Sequence, residues 1–288
     1  MRDSPPEAKG ALAIPDRGCI YRSRMSAIDL HTHAFPDELA ARAIAKLEEG
    51  CPWKALGDGT VGGLLKSMDA ADIDVSVVCP IATKPDQVKG IFKWCKRIRS
   101  DRIDPLPSVH PLTKKLGDWM EKFAQEGFVG IKLHPMYQDF VVDDALPEEI
   151  YRQAAKHGLF ITMHCGQDIA WPPTDDRVTP ARLRRVIEKF PDLKLVATHM
   201  GGWRMWDEAQ KHLLGTPVYM ETSFSLAELG KQRAVDFIGR HGVQRVCMGS
   251  DWPWDRQGAQ VQAVKDLGLS AQDTQAILYA NAAKLLGL

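Results

Sequence analysis

Eight short apolar segments alternate with helical patterns along this chain of 288 residues, and that alternation is the strongest constraint on its fold. The predicted strands are residues 26–31, 75–79, 103–109, 129–134, 160–164, 194–199, 218–222 and 245–250. Several of them are apolar on both faces, which is typical of buried parallel strands. Strict alternation of strand and helix predicts a parallel sheet, and eight units in about 260 residues fit a (β/α)8 barrel, the TIM-barrel fold.

An open, doubly wound sheet is the alternative architecture, but its G-x-G-x-x-G fingerprint does not occur in the sequence. The helical patterns fall at residues 36–49, 86–98, 115–126, 147–157, 180–190, 229–240 and 271–286. One of them begins with a clear signal, because Thr179 is a favoured N-cap residue and Pro180 suits the first helical position.

The charge balance and the cysteines limit the class of protein. Lys and Arg together number 37, as do Asp and Glu, so the formal net charge is zero and neither nucleic acid nor a membrane surface is an expected partner. Six scattered cysteines without a CxxC pair predict reduced thiols and a cytoplasmic location. We expect residues 1–24, rich in proline and charge, to be a disordered extension, and residues 25–288 to form one barrel domain.

Histidines and an aspartate stand at the ends of the predicted strands. His31 and His33 are two residues apart on the first strand, so their imidazoles share a face and can grip a divalent ion such as Zn²⁺. His164 ends the fifth predicted strand, His199 ends the sixth, and Asp251 follows the eighth. Because active sites of barrels lie at the carboxyl ends of the strands, we expect these five side chains to converge on one cavity mouth.

Strand alternation supports this convergence, since it predicts which side chains point into the barrel. The face-sharing sets are Phe160, Thr162 and His164; Leu195, Ala197 and His199; and Cys247, Gly249 and Asp251. We expect all three sets to face inward.

Six segments, taken in order, resemble a known family. They are IDLHTH (28–33), GIKLHP (130–135), FPDLK (190–194), THMGG (198–202), GSDWP (249–253) and NAAKLLG (281–287). The set resembles the amidohydrolase superfamily, in particular the amidohydrolase-related branch that includes aminocarboxymuconate-semialdehyde decarboxylase. The resemblance covers roughly residues 26–288 and implies a distorted (β/α)8 barrel with one or two metal ions.

The resemblance also implies roles for individual residues. His31, His33, His164 and Asp251 would be metal ligands, with Zn²⁺ expected and Mn²⁺ as an alternative. His199 would be a ligand to a second ion or would orient water or substrate. Zinc lowers the pKa of bound water to about 7, and Asp251 beside it would move the proton while His199 polarises a carbonyl.

Lys132, His134 and Trp252 are candidate substrate-binding residues. The decarboxylase-like members lack a lysine at the position of Lys132, whereas binuclear hydrolases of the superfamily often carry a carboxylated lysine there that bridges two ions. Alternatively, Lys132 remains a cation that forms an internal ion pair or binds a substrate carboxylate. His134 would line the pocket. Trp252 and the other tryptophans after strand ends would wall the pocket or fill contacts between loops.

These observations predict a metal-dependent hydrolase of a small-molecule amide, lactone or ester that uses metal-activated water. Non-oxidative decarboxylation of an aromatic or unsaturated acid at the same site is the alternative. A non-catalytic barrel that binds a ligand at its mouth is the third hypothesis, since a fold alone does not determine a function. A homodimer is compatible with the sequence.

Overall fold

The computed structural model describes residues 27–49 and 51–288, so the predicted extension at residues 1–24 lies outside the described residues. All eight predicted strands are confirmed, each somewhat shorter than expected. They are β1 (Ile28–Thr32), β2 (Val75–Val78), β3 (Ile103–Pro105), β4 (Gly130–Leu133), β5 (Phe160–Met163), β6 (Leu195–Ala197), β7 (Tyr219–Glu221) and β8 (Val246–Cys247).

Helices separate the strands. They are α1 (Asp37–Glu48), α2 (Val61–Ala71), α3 (Val88–Ile98), α4 (Leu116–Gln125), α5 (Pro135–Gln138), α6 (Glu148–Lys156), α7 (Pro180–Lys189), α8 (Trp206–His212), α9 (Leu226–Leu229), α10 (Lys231–His241), α11 (Gln257–Asp266), α12 (Ala271–Gln275) and α13 (Asn281–Leu286). The Thr179 hydroxyl accepts a hydrogen bond from the Arg182 N–H, so α7 begins where the sequence predicts. The helix predicted over 229–240 is α10, which begins two residues later than expected because Gly230, with a φ of +73°, separates it from α9.

Two parallel sheets close into the barrel. Their orders are β1-β2-β3 and β4-β5-β6-β7-β8. Backbone hydrogen bonds join them at both seams, from Leu30 N–H to the Met248 carbonyl and from Lys132 N–H to the Pro107 carbonyl, each 3.0 Å long. The fold is therefore the predicted (β/α)8 barrel.

The barrel interior is an apolar cluster of its own. The members of this cluster that lie on the strands or directly after them are Ile28, Leu30, Val77, Cys79, Leu106, Phe160, Val196 and Cys247. Ala282 and Leu286 of α13 pack against the same cluster. A larger apolar layer lies outside it, between strands and helices, and includes Leu195, Ala197 and Met248.

A β-bulge in β1 aims the first two histidines at the cavity. Asp29 pairs with Ser76 and Thr32 with Val78, so β1 carries one more residue than β2 over this stretch. Bulges of this kind redirect side chains beside active sites. Leu30 thus packs inside the barrel while its neighbour His31 reaches the mouth.

The five cysteines of the described residues are free thiols, and all but Cys51 are buried. In this part of the chain, no helix combines the length and the apolar character needed to cross a membrane.

Candidate functional site

A cavity of about 1120 Å³ opens at the carboxyl ends of the strands. It is lined by His31, His33, Lys132, His134, His164, His199 and Asp251. The structure therefore brings together every predicted site residue except Trp252. The Trp252 ring is buried against Gly57, where an added Cβ would lie 2.5 Å from it, and Trp254 lines the cavity instead.

Three of the predicted ligands meet at one point. The Nε2 atoms of His31 and His33 are 3.1 Å apart, and Asp251 Oδ1 lies 3.0 Å from His33 Nε2 and 3.6 Å from His31 Nε2. Donors around a tetrahedral Zn²⁺ with bonds near 2.05 Å are separated by about 3.3 Å. The spacing of these three atoms fits one ion.

The charge states of these groups also fit a cation. Burial and the nearby Lys132 lower the pKa of His31 to about 4, so its imidazole is neutral at pH 7 and has a lone pair that can bind an ion. Burial raises the pKa of Asp251, but the imidazoles of His31 and His33 outweigh it and hold that pKa well below its usual range. Within the described residues, the buried Asp251 Oδ1 receives no hydrogen bond of acceptable geometry. A metal ion would satisfy this oxygen.

His164 and His134 form a second group with Asp168. Asp168 Oδ2 lies 3.2 Å from His134 Nε2 and 3.9 Å from His164 Nε2. The two rings stack with centroids 4.0 Å apart at 11°. Parallel rings direct their nitrogens side by side rather than toward one point, so this geometry favours the first group as the principal ion site. His164 Nδ1 is 3.3 Å from His199 Nε2, which places His164 between the two groups.

His199 belongs with the first group, because its ligand atom and those of His31 and Asp251 lie within 4.8 Å of one another. The expected inward face of β6 is wrong: Val196 points into the barrel, whereas Leu195 and Ala197 pack outside it. His199 reaches the mouth because its own φ is +56°, which turns the chain just after the strand. Such strained conformations in non-glycine residues cluster at functional sites.

Glu221, at the end of β7, is a functional residue that the sequence analysis missed. Its Oε1 lies 3.0 Å from His31 Nδ1 and 2.9 Å from the His199 backbone nitrogen. Burial raises the pKa of Glu221, but His31, hydrogen bonds and His199 outweigh it and lower that pKa to about 2. The carboxylate accepts the Nδ1–H of His31, which leaves the Nε2 lone pair for an ion. The sequence signal was a single acidic residue at the end of an otherwise buried strand.

Lys132 is fully buried, and its Nζ lies 3.0 Å from His31 Nε2. Among the described residues, no carboxylate lies within ion-pair distance of this nitrogen. This contact occupies the same nitrogen that an ion would bind. Binding of an ion to His31 therefore releases Lys132 for another partner.

Aromatic rings form two walls of the cavity. Trp53 contacts Trp203 and Phe224, with ring centroids 5.5 and 4.8 Å away, on the side of His199. Tyr137 and Trp171 contact each other at 4.5 Å on the side of His134. The space between the walls suits a flat molecule.

A family model described as Amidohydrolase matches residues 106–288, which is more than half of the chain. This chain belongs to the amidohydrolase family. The matched part includes β4 to β8 and hence Lys132, His164, His199 and Asp251. A search of curated proteins finds no match.

Several solved structures resemble this chain over nearly its whole length. An uncharacterised TIM-barrel protein from Bordetella bronchiseptica matches with a TM-score of 0.70 at 19% identity, covering 91% of this chain and 98% of that one. A protein named as a putative 2-pyrone-4,6-dicarboxylic acid hydrolase, from Pseudomonas putida, matches with a TM-score of 0.65 at 19% identity. The match covers 92% of this chain and 98% of that one. A dihydroxybenzoic acid decarboxylase from Polaromonas sp. JS666, with bound manganese and the inhibitor 2-nitroresorcinol, matches with a TM-score of 0.69 at 14% identity. The match covers 91% of this chain and 97% of that one.

Membership of the amidohydrolase family makes the chain an enzyme and implies a divalent metal, which the first group of ligands fits. The structural neighbours establish the fold, because their identities are low. They include both a hydrolase and a decarboxylase.

Proposed function

We propose that this amidohydrolase uses a divalent metal to hydrolyse a small-molecule amide, lactone or other ester. The observation that carries the proposal is Asp251 Oδ1, a buried oxygen without a hydrogen bond among the described residues, beside the Nε2 atoms of His31 and His33. It is at once a ligand and a base placed where water would be activated.

His31, His33 and Asp251 would hold the ion, with His164 or His199 as a further ligand. Zinc is the first candidate, because imidazole nitrogen and carboxylate oxygen suit it, and manganese is the alternative. When bound, the ion supplies a Lewis acid and lowers the pKa of a water molecule.

Hydrolysis then needs one proton transfer in each direction. Asp251 accepts a proton from the attacking water as the new C–O bond forms at the substrate carbonyl carbon. The same carboxyl group returns that proton to the leaving oxygen or nitrogen as the acyl bond breaks. The Ser223 hydroxyl donates to Glu221 and lies 2.8 Å from His199 Nδ1, so it accepts from that nitrogen. His199 in its protonated form would then polarise the carbonyl oxygen through its Nε2–H.

Lys132 narrows the class of substrate. If Lys132 is a cation, it needs a new acceptor once an ion occupies His31, and a substrate carboxylate supplies one. The aromatic walls favour a flat ring or conjugated chain. We therefore propose a flat ester or lactone that carries a carboxylate, bound near Lys132 and His134.

Decarboxylation of an aromatic or unsaturated acid is the second candidate, and the two aromatic walls favour it. In that reaction the bond to the carboxylate carbon breaks, carbon dioxide leaves, and Asp251 or His199 delivers a proton to the ring carbon. The decarboxylase structure with a bound resorcinol analogue has the same fold.

The experiment is an assay of metal-loaded protein against lactones, esters and aromatic acids. Mass spectrometry distinguishes the reactions, since hydrolysis adds water to the substrate and decarboxylation removes carbon dioxide. We expect lactone or ester turnover that Asp251→Asn abolishes. Turnover only of aromatic acids would replace the first candidate by the second, and turnover without bound metal would refute both.

The proposal includes a cytoplasmic location, which the free thiols of the described cysteines support. The homodimer stays a prediction, and size-exclusion chromatography with light scattering would test it.

A further inference from the structure

Asp29 is a residue of β1, and its buried side chain lies behind the cavity, between that strand and α11. Its Oδ1 accepts hydrogen bonds from the backbone N–H of His31 at 3.2 Å and of Ser250 at 2.9 Å. Its Oδ2 accepts from the Ser250 hydroxyl at 2.5 Å and from the Gln257 amide at 2.8 Å. The mechanism above does not use this group.

The position of Asp29 matters because β1 and β8 belong to different sheets. Within the part of the chain that the structure describes, His31 meets the segment of Asp251 directly at the seam between the sheets. At that seam the Asp251 N–H donates to the His31 carbonyl at 2.7 Å. Asp29 adds side-chain bonds to the same seam, and they end on His31 itself and on Ser250, the residue before Asp251.

These hydrogen bonds stabilise an unusual backbone conformation at Asp251. Asp251 adopts a φ of +61°, an unfavourable conformation that persists only where the surroundings enforce it. The Ser250 hydroxyl donates to Asp29 and accepts the Trp252 N–H at 3.0 Å, so it fixes the chain on both sides of Asp251.

We propose that Asp29 is a positioning residue that, through Ser250, sets the separation between His31 and Asp251 across the seam and thereby determines the affinity for the divalent ion. The inference rests on the metal centre of the proposed function. Loss of outer-shell partners of metal ligands typically costs 10–100-fold in metal affinity.

Two serines in this network give a matched experiment. Ser250 and Ser76 are both fully buried, and each contacts the network through its hydroxyl. Ser250 bonds Asp29 directly, whereas the Ser76 hydroxyl accepts from the Gln257 amide at 3.0 Å. Ser250→Ala and Ser76→Ala are the same chemical change, but only the first one loosens the segment of Asp251.

We would measure the Zn²⁺ dissociation constant by competition with a chromogenic chelator, the absorption spectrum of the Co²⁺-loaded protein, and the melting temperature of the metal-free protein. Ser250→Ala should weaken Zn²⁺ binding about 10–100-fold and alter the Co²⁺ spectrum. Ser76→Ala should leave both unchanged, although each variant loses some thermal stability. Asp29→Asn should resemble Ser250→Ala if it folds.

The outcomes separate the two proposals. Unchanged Zn²⁺ affinity in Ser250→Ala, or equal losses in both serine variants, would overturn the positioning role while the metal centre stands. A wild-type protein that binds neither Zn²⁺ nor Co²⁺ would overturn the metal centre and the positioning role together.

Discussion

Glycine at position 249 makes room for the carboxylate of Glu221, and this contact allows a quantitative prediction. A Cβ added to Gly249 would lie 2.1 Å from Glu221 Oε2, whereas ordinary contact begins at 3.4 Å. In Gly249→Ala the carboxylate must therefore move by about 1.3 Å, which is 3.4 minus 2.1. The backbone of Gly249 itself is not in the left-handed region, so alanine brings no conformational strain there.

A movement of that size breaks the bond that orients His31. The Glu221 Oε1 to His31 Nδ1 distance is 3.0 Å, and a movement of 1.3 Å lengthens it to as much as about 4.3 Å, which is beyond hydrogen-bonding range. Loss of such a partner typically weakens metal binding 10–100-fold, or about 1.4–2.7 kcal/mol. Overpacking should also cost about 1–3 kcal/mol of folding free energy.

Glu221→Gln is the complementary change, since it keeps the shape of the side chain and removes its charge. In the wild type, the Ser223 N–H donates to Glu221 Oε2 at 2.7 Å. A Gln amide would place a second donor next to this N–H. We expect weaker metal binding in both variants. Gly239→Ala is the control, because a Cβ there meets nothing within 4 Å and alanine favours a helix.

The assay is chelator competition for Zn²⁺ at fixed pH, with circular dichroism to verify folding. The reasoning fails if folded Gly249→Ala binds Zn²⁺ as tightly as the wild type. It also fails if Gly239→Ala loses as much affinity, because the effect would then be unrelated to Glu221.

Further predictions concern other parts of the molecule. If Lys132 remains a cation, metal analysis should give one ion per chain with and without bicarbonate, and Lys132→Met should retain it; two ions only with bicarbonate would indicate a bridging carbamate. His199→Ala should lower kcat by about 100-fold or more with the ion retained, and loss of the only ion would make His199 a primary ligand. Burial lowers the pKa of His241 to about 4, so the unfolded chain binds a proton first and stability should fall as pH drops from about 6.5 to 4; urea titrations should show a weaker fall in His241→Gln. Removal of the ion should lower the melting temperature, because an ion at 100 times its Kd adds about 2.7 kcal/mol to the free energy of unfolding; calorimetry with and without chelator tests this.

The sequence was most informative where one physical rule acts alone. Alternation of apolar runs and helical patterns located every strand, because burial of parallel strands requires apolar residues on both faces. Thr179 and Pro180 located the start of α7 for an equally local reason. Helix α2 went unpredicted because Gly62 and Gly63 lie in its first turn, and glycine has a low helix propensity.

The site was harder to predict, because its geometry depends on departures from regular structure. Strand alternation assigns opposite faces to Leu30 and His31, but the bulge in β1 brings His31 to the mouth. It also placed the inward face of β6 on the wrong residues, since His199 arrives through a positive φ. Neither a bulge nor a single left-handed residue leaves a mark in the hydrophobic pattern.

Glu221 shows why a partner of a ligand is harder to find than the ligand itself. Histidines at strand ends attract attention because imidazole is a common metal ligand, whereas a buried glutamate has a function only through what it touches. The contact of Glu221 with His199 depends on β7 lying beside β6, and the position of its carboxylate depends on Gly249 having no side chain. These are facts of tertiary structure.

The location of the ligands follows from how the barrel closes. β1 and β8 are the edge strands of the two sheets, and they meet at a seam with few ladder hydrogen bonds. An ion bound by His31 and Asp251 would bridge this seam, because one ligand belongs to β1 and the other follows β8. Asp29 bridges it from behind and Glu221 supports His31 from β7. The residues that close the barrel and those that would bind the ion therefore act on the same seam, so closure of the fold prepares the site.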